Sequence, residues 1–540
     1  MTSKGSETAP RNRRLSRIRG GVNSVNESKG LIAHWPFGDG ECFSGVDSGI
    51  DVADNPKLHL GTGDFTISTW VHTEGHPEDI VGDIVSKFDP ETRRGFSLSV
   101  VTLSGMTFTT ASNNRNIHFG IDDGRMEKWK DCGRPGRAVH IIAMAVMQGN
   151  LYAGTLEMGA DEQGHLWRYA GGQQWTDLGA TPDGSNAVES IAEFDGALYC
   201  STGRYNPFGS RLGPQLNKRP GGRVYRIEPG GKWIECGKPG SDDATPDDAA
   251  SDAIYETGRA DEACCLTVYR GKLYCTSHHR RGVFVYEGGQ QWRNVGPNER
   301  IMSFTVFRDR LYALINGRNG VYRYEGGNEW TPCGVPARSE QNYAAVTYAG
   351  ELYVGTWPEC EVARYDGDDR WTIIGRVGYE REVMAMALYN GKVYLGTLPM
   401  ANVWRMDGKA FTFVGNLDNA PVYLRRVWAM AVYQGRLFAG TLPSGHVKSL
   451  QAGRVATHDH ALPPGWHHVV AVRESDRLKL YVDGALVSES ASFRAEDYNL
   501  TNTQPLCIGH GTGHNLRGGL RDLRIYNRAL NPTQIQEHRR

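Results

Sequence analysis

The chain has 540 residues, too many for one ordinary core, and a formal net charge of -1, which excludes a nucleic-acid or membrane-surface binder acting through bulk charge. Glycine is abundant at 67 residues and aromatics reach 10%, a balance suited to many tight turns between strands. No stretch approaches ~18 uninterrupted apolar residues, so no membrane-inserted helix is expected.

Residues 1–27 are polar and basic, with Arg11, Arg13, Arg14, Arg17 and Arg19 close together, and show no apolar core of a secretory leader. They are expected to be a disordered tail. From 28 to 124 the pattern alternates apolar and polar residues, as in Asp64-Phe-Thr-Ile-Ser-Thr-Trp70 and Gly95-Phe-Ser-Leu-Ser-Val100, which marks half-buried strands.

From 125 to 453 a different rhythm takes over. A Gly-x-Leu-Tyr-like element recurs seven times, beginning at Gly149, Gly196, Gly271, Asp309, Gly350, Gly391 and Gly435. The spacings are 47, 75, 38, 41, 41 and 44 residues. A short apolar strand precedes each copy, and a strand such as Leu166-Trp-Arg-Tyr169 or Val321-Tyr-Arg-Tyr324 follows it. Then comes a Trp-x-x-x-Gly strand, at Trp175, Trp233, Trp292, Trp330 and Trp371, with Phe411 in the sixth place. Four short strands per period of about 40 residues make one propeller blade, and the apolar period of two excludes a helical solenoid. The count predicts seven blades. The Trp series starts early, at Trp129, and the last Gly-x-Leu-Phe has no such strand after it, so Trp129-Lys-Asp-Cys-Gly133 is expected to complete the last blade and close the ring. The repeat is kelch-like in its Gly and Trp usage but lacks the full diglycine signature, and it lacks the aspartate-box phrase expected of a sialidase.

The ten cysteines do not form a disulfide framework in this alignment. Cys132, Cys236 and Cys333 fall three residues after the tryptophan, where other repeats place Leu178, Val295, Ile374 and Val414. Cys200 and Cys275 share a slot with Ala153 and Val354, so these cysteines are read as small buried hydrophobes. Cys264 and Cys265 fall in an innermost strand, with a vicinal redox pair as the alternative.

The segment 454–540 returns to half-buried strands. The phrases "GDFTISTWV" from Gly63, "GWHHVVAVR" from Gly465, "LKLYVDGALV" and "GGLRDLRIYNRALNPTQI" resemble, in this order, the laminin-G-like, concanavalin-type jelly-roll family. The resemblance covers 28–124 and 454–540. It implies one two-sheet sandwich interrupted by the propeller, a fold that often binds glycans and sometimes calcium. No residues map onto a calcium site, so calcium rests on the resemblance alone; no cofactor and no metal site is predicted. His458, His460, His467 and His468 are spaced for alternate strand faces rather than for one ligand set.

Candidate chemistry gathers at the propeller mouth. Nine residues before each Gly-x-Leu-Tyr slot lie His140, Ala187, Glu262, Arg300, Gln341, Glu382 and Arg426, which are expected to ring the axis. The ring reads either as a solvated mouth with paired charges or as a polar pocket in which Arg300 and Arg426 fork a sugar carboxylate. Beside it, connections carry Glu157, Arg204, Tyr205, His278, His279, Arg280, Arg281, Asn316, Arg318, Trp357 and Glu359. Two of these connections are long. One, 202–223, is basic and carries Arg211 and Phe208; the other, 236–264, is acidic.

The leading expectation is a carbohydrate-binding or interaction protein using the propeller top face and the sandwich, with a glycan or polysaccharide as ligand and a protein partner as the other possibility. The alternative is a polysaccharide-degrading enzyme, a uronate lyase rather than a glycosidase, with His278, His279, Tyr205 and Arg204 as its centre. A non-catalytic scaffold is the third reading. Walker, Rossmann and serine-elbow motifs are missing, which removes support for nucleotide-dependent and ordinary hydrolase chemistry. Lectin-type sandwiches are commonly exported, although no leader is visible in the sequence.

Overall fold

The computed structural model describes residues 29–73, 81–207, 210, 212–240, 262–278 and 282–539. Among the described residues the fold is all-β, a concanavalin-like sandwich and a propeller, with short 3-10 turns and one α-helix, Pro532–His538. No helix among the described residues is long and apolar enough to cross a membrane. The expected basic tail lies outside the described residues, as do most of the acidic 236–264 connection and Phe208, Arg211, His279, Arg280 and Arg281.

Strands from both ends of the sequence share the two sandwich sheets. In one sheet the order is Leu31–Trp35, Arg517–Tyr526, Phe65–Thr73, Gly465–Glu474, Arg477–Val482, Ala485–Glu489. Phe65–Thr73 lies between two strands from the far end of the chain, and Ile67 faces both Ala471 and Ile525. In the other sheet, Ala452–His458 pairs with Ala111–Met126, and Ala452 stands opposite Met126. Alternate residues Phe65, Ile67 and Val71 point into the core with Leu98, Phe119, Val469 and Leu523. The final helix is started by Asn531, whose side chain accepts from the Gln534 backbone N–H in a capping box, with Pro532 in the first turn.

Five four-stranded sheets stand as separate propeller blades. The expected count of seven is corrected on this point. The first two copies of the repeat, His140–Ala180 and Ala187–Glu235, also form four-strand meanders, but they are not separate sheets. Leu156 pairs with Ala187 and Asn113 with Val146, so both meanders run into a 14-stranded sheet with half of the sandwich. The last blade takes its outermost strand from Lys130–Asp131, which pairs with Val447–Leu450.

The repeat's conserved-looking slots have a shared physical role within this chain. Nε1 of Trp175, Trp233, Trp292, Trp330 and Trp371 donates to the carbonyl of Cys132, Leu178, Cys236, Val295 and Cys333 at 2.9, 3.3, 2.7, 2.8 and 2.7 Å. Each acceptor lies three residues after the preceding repeat's tryptophan, so the indoles stitch neighbouring repeats together. The glycine that follows lets the next turn approach: at Gly133, Gly237 and Gly334 (φ +87°, +89° and +78°) a Cβ would lie 2.4, 2.3 and 2.4 Å from the carbonyl oxygen of Gln173, Gln290 and Asp369. All ten cysteines are free, and those in the tryptophan slots are buried. Trp330→Phe keeps an aromatic ring but removes the N–H together with part of the indole. It is expected to lower unfolding free energy by about 1 kcal/mol in urea titration, with the fold unchanged by circular dichroism.

The sandwich enters the propeller. The hairpin between Arg94–Ser104 and Ala111–Met126 runs up the bore, and its tip bonds to the innermost strands. Phe108 N–H donates to Met302 O at 3.0 Å, and Cys265 N–H donates to Phe108 O at 2.9 Å. Thr107 Oγ1 donates to Tyr343 O and Met384 O at 3.1 and 2.6 Å, and Asn113 exchanges two bonds with Val432. The partners at Met302, Tyr343, Met384 and Cys265 exist because every innermost strand breaks register near its start, between Ile301 and Ser303, Asn342 and Ala345, Val383 and Ala385, and likewise in the others. A bulge leaves backbone groups unpaired in the ladder, and the hairpin tip takes them up.

Candidate functional site at the propeller axis

The polar slot of the repeat does open each innermost strand. His140, Ala187, Gln341, Glu382 and Arg426 are the first residues of their strands, and Glu262 and Arg300 immediately precede theirs. The ring is not a solvated mouth, however. His140 and Glu262 are fully buried, Glu382 is nearly so, and Arg426 is 9% exposed. The cause is coverage from both ends: Phe108 rises from below, and the described residues of the 204–223 connection, Tyr205, Ser210 and Leu216 among them, lie above. Ser210 Oγ donates to Leu424 O, and Leu216 N–H donates to Met158 O.

On one side, Arg426 Nη1 donates to Tyr205 Oη at 3.0 Å, and its guanidinium lies over the Trp428 ring. Tyr205 is held by Asn186, which accepts from its backbone N–H at 2.9 Å and donates to its carbonyl at 2.7 Å. Trp428 meets His140 edge-on at 5.0 Å and Phe108 at 5.1 Å. Burial, reinforced by Arg426, holds the His140 imidazole neutral, well below its usual range. Burial pushes the Glu382 carboxyl up to about 8, and Arg426 opposes this only in part.

On the other side, His278 is clamped. Nδ1 lies 2.8 Å from Glu262 Oε2, and Nε2 lies 2.8 Å from Ile301 O and 3.3 Å from Cys264 Sγ. A carbonyl can only accept, so Nε2 carries a proton, and a carboxylate at Nδ1 favours the second. Burial alone would push His278 down; the Cys264 sulfur and Glu262 outweigh it and raise it to about 9. Arg300 Nη2 lies 4.0 Å from Glu262 Oε2. Beside them Glu189 is fully buried and held protonated, first by burial and then by Glu262 and Cys264. Cys264 and Cys265 carry free thiols with their sulfurs 3.6 Å apart, and burial pushes the Cys264 thiol well up.

The structure therefore gathers His140, Tyr205, Glu262, His278, Arg300, Glu382 and Arg426 around Phe108. It leaves other candidates apart. Arg318 is exposed and paired to Glu340 at 2.7 Å. Arg204 Nη1 turns to the Lys218 carbonyl. Trp357 is half-buried with Arg381 over its ring. Glu157 is buried under the 204–223 connection, where Gln215 donates to its carbonyl. Of the two arginines expected to fork a sugar carboxylate, Arg300 faces Glu262, which His278 also engages, and Arg426 donates to Tyr205 beside the protonated Glu382. In the sandwich, His467 pairs with Asp483 and His468 with Ser68, while His458 stacks on His460.

Glu189, Tyr343 and Trp428 join the cluster unforeseen. They fall at the bulges, where the period of two that assigns strand faces breaks. A signal was present in the alignment of repeats: Glu189, Tyr343 and Trp428 all stand two residues after the polar slot.

Glu382→Gln tests the protonation of the ring. The carboxyl binds its proton more tightly in the folded chain, so its stabilisation is full below about pH 4.5 and is lost as pH rises through about 8. The wild type is expected to lose on the order of 5 kcal/mol from this group by pH 9, a loss that Glu382→Gln removes in urea titrations across that range.

The profile of the concanavalin A-like lectin/glucanases superfamily matches residues 432–536. That span holds the later sandwich strands and begins within the last innermost strand, Arg426–Tyr433. No curated protein matches the chain. Among solved structures, catalytically inactive virginiamycin B lyase from Staphylococcus aureus with quinupristin superposes at 10% identity and a TM-score of 0.46, over 60% of this chain and 99% of that chain. YCF48 from Cyanidioschyzon merolae superposes at 13% identity and a TM-score of 0.41, over 60% and 99%. A propeller joined to a concanavalin-like domain suggests a binding or interaction role.

Proposed function

We propose that the chain is a carbohydrate-binding or interaction protein whose main ligand surface is the propeller face turned away from the sandwich, with the sandwich as a second surface. The same reading takes 28–124 and 454–540 as one sandwich into which the propeller, 125–453, is inserted. The supporting observation is where exposed apolar side chains collect. The turns after the innermost strands face the sandwich, with Gly149 against His460 and Gly391 against Phe88. On the opposite face lie Leu216, Val335, Tyr379, Met400 and Tyr423, half of the ten large exposed hydrophobics among the described residues. Tyr379 is 98% exposed. Arginines stand among them: Arg381 over Trp357 at 4.6 Å, and Arg425 Nη2 at 3.1 Å from Met400 Sδ. Exposed aromatic rings with arginine and methionine suit stacking on a sugar ring or anchoring a protein partner. The buried polar ring lies beneath this face.

The test is a glycan array followed by an absorbance assay for unsaturated uronates. Binding without turnover, reduced about tenfold or more in Tyr379→Ala/Tyr423→Ala, supports the reading, since tenfold is about 1.4 kcal/mol. Uronate release dependent on Tyr205 would replace it with the lyase reading. Silence towards every glycan would remove the carbohydrate half and leave the protein-partner half, which the same double variant would weaken.

A further inference from the structure

We propose that Asp51, Cys507 and His510 form a binding site for a zinc-class divalent metal on the face of the sandwich sheet turned away from its core, close to where Thr512 and Gly513 meet the propeller turn at Ala349 and Gly350. Strand pairing brings the first two together: Asp51 stands directly opposite Cys507 in the ladder of Ile50–Val52 with Leu506–Ile508. Their flanking partners Leu506 and Ile508 are fully buried, so the alternation of the strand sends Asp51 and Cys507 to the face away from the core. The chain then turns at Gly509, with φ +74°, and brings His510 back over the same pair.

Three different donor atoms converge there. His510 Nε2 lies 3.0 Å from Asp51 Oδ1, Cys507 Sγ lies 3.5 Å from the same oxygen, and all three lie within 4.8 Å of one another. Around a tetrahedral zinc with bonds of about 2.0–2.3 Å, ligand atoms stand roughly 3.3–3.8 Å apart, so small side-chain adjustments reach that geometry. No other group of this kind occurs among the described residues. The His510 ring is seated by an independent feature: a Cβ on Gly49 would lie 2.3 Å from His510 Cδ2, so the ring occupies space that only glycine leaves.

The donor set chooses the metal. Sulfur, imidazole and one carboxylate suit zinc and its neighbours, whereas calcium and magnesium take all-oxygen sets. Three protein ligands leave a fourth position for water or a small ligand. On binding, the Cys507 S–H bond breaks, the sulfur's electron pair goes to the metal, and the proton leaves to solvent.

Cobalt(II) titration of the full chain under reducing conditions tests the site. The expected result is a one-to-one complex with a thiolate-to-cobalt charge-transfer band, displaced by zinc. Cys507→Ser should abolish the band, and His510→Ala should weaken binding about tenfold or more. Gly49→Ala, which removes no ligand, should weaken it through displacement of the ring. Cys42→Ser, which alters an exposed thiol elsewhere, should leave the band intact. Far-ultraviolet circular dichroism confirms that each variant is folded, and His510→Ala decides if Gly49→Ala does not fold. Lack of a stoichiometric band, its survival in Cys507→Ser, or its loss in Cys42→Ser would overturn the proposal.

Discussion

Glu262→Ala is expected to destabilise the protein by about 3–5 kcal/mol, because it leaves the His278 imidazolium buried without its partner. Both members of the pair are buried to 1% or less in their side chains, so water cannot replace the lost contact. The pair also sets a pH dependence. His278 titrates at about 9 in the folded chain against an ordinary 6.5. Its contribution is therefore fully present below about pH 6.5 and is lost as pH rises through about 9, a change of about 3 kcal/mol. Glu382 acts with the same sign over a lower window, so the comparison belongs in a Glu382→Gln background. Urea unfolding at pH 6.5 and pH 9.5 should show a loss in that background about 3 kcal/mol larger than in His278→Ala/Glu382→Gln, where the buried Glu189 still acts with the same sign. A wild-type-like slope in the double variant would remove His278 from the account.

Phe108→Ala should cost about 3–5 kcal/mol and lower Tm by roughly 5–10 °C. Phe108 is fully buried and touches Tyr205, His278 and Trp428 edge-on at 6.1, 5.4 and 5.1 Å. Truncation leaves a cavity where hairpin, innermost strands and polar ring meet, and rigid walls on every side limit collapse into it. The near-ultraviolet signal of Trp428 should broaden or shrink in the variant. A Tm unchanged within a degree would show that the tip of the hairpin adds nothing to the ring it fills.

The architecture was legible because the repeat is periodic and each copy carries its own stitch. Trp175, Trp292 and Trp330 recur at the spacing that joins one repeat to the next, and the phrase around Trp466 places its strand beside Phe65–Thr73. The separate-blade count was less legible. It depends on single bridges such as Leu156 with Ala187, which leave no mark in the pattern. The axial cluster was legible in its first layer, the slot of His140, Glu262, Glu382 and Arg426. Its burial was not, because the filling comes from Thr107 and Phe108 in a hairpin outside the repeat, whose sequence carries no mark of insertion between the innermost strands. Residues on bulges, Glu189 and Trp428 among them, escape any reading that assigns strand faces by alternation.

The hairpin also has a place in the order of synthesis. Residues 103–113 leave the ribosome before any of the strands that surround them, but the strand Ala452–His458 that pairs with Ala111–Met126 comes last. Without that hairpin the innermost strands would keep unpaired carbonyls at Met302, Tyr343 and Met384. The two halves of this molecule are thus related as axle and wheel, and neither is a spare part that recombination could exchange alone.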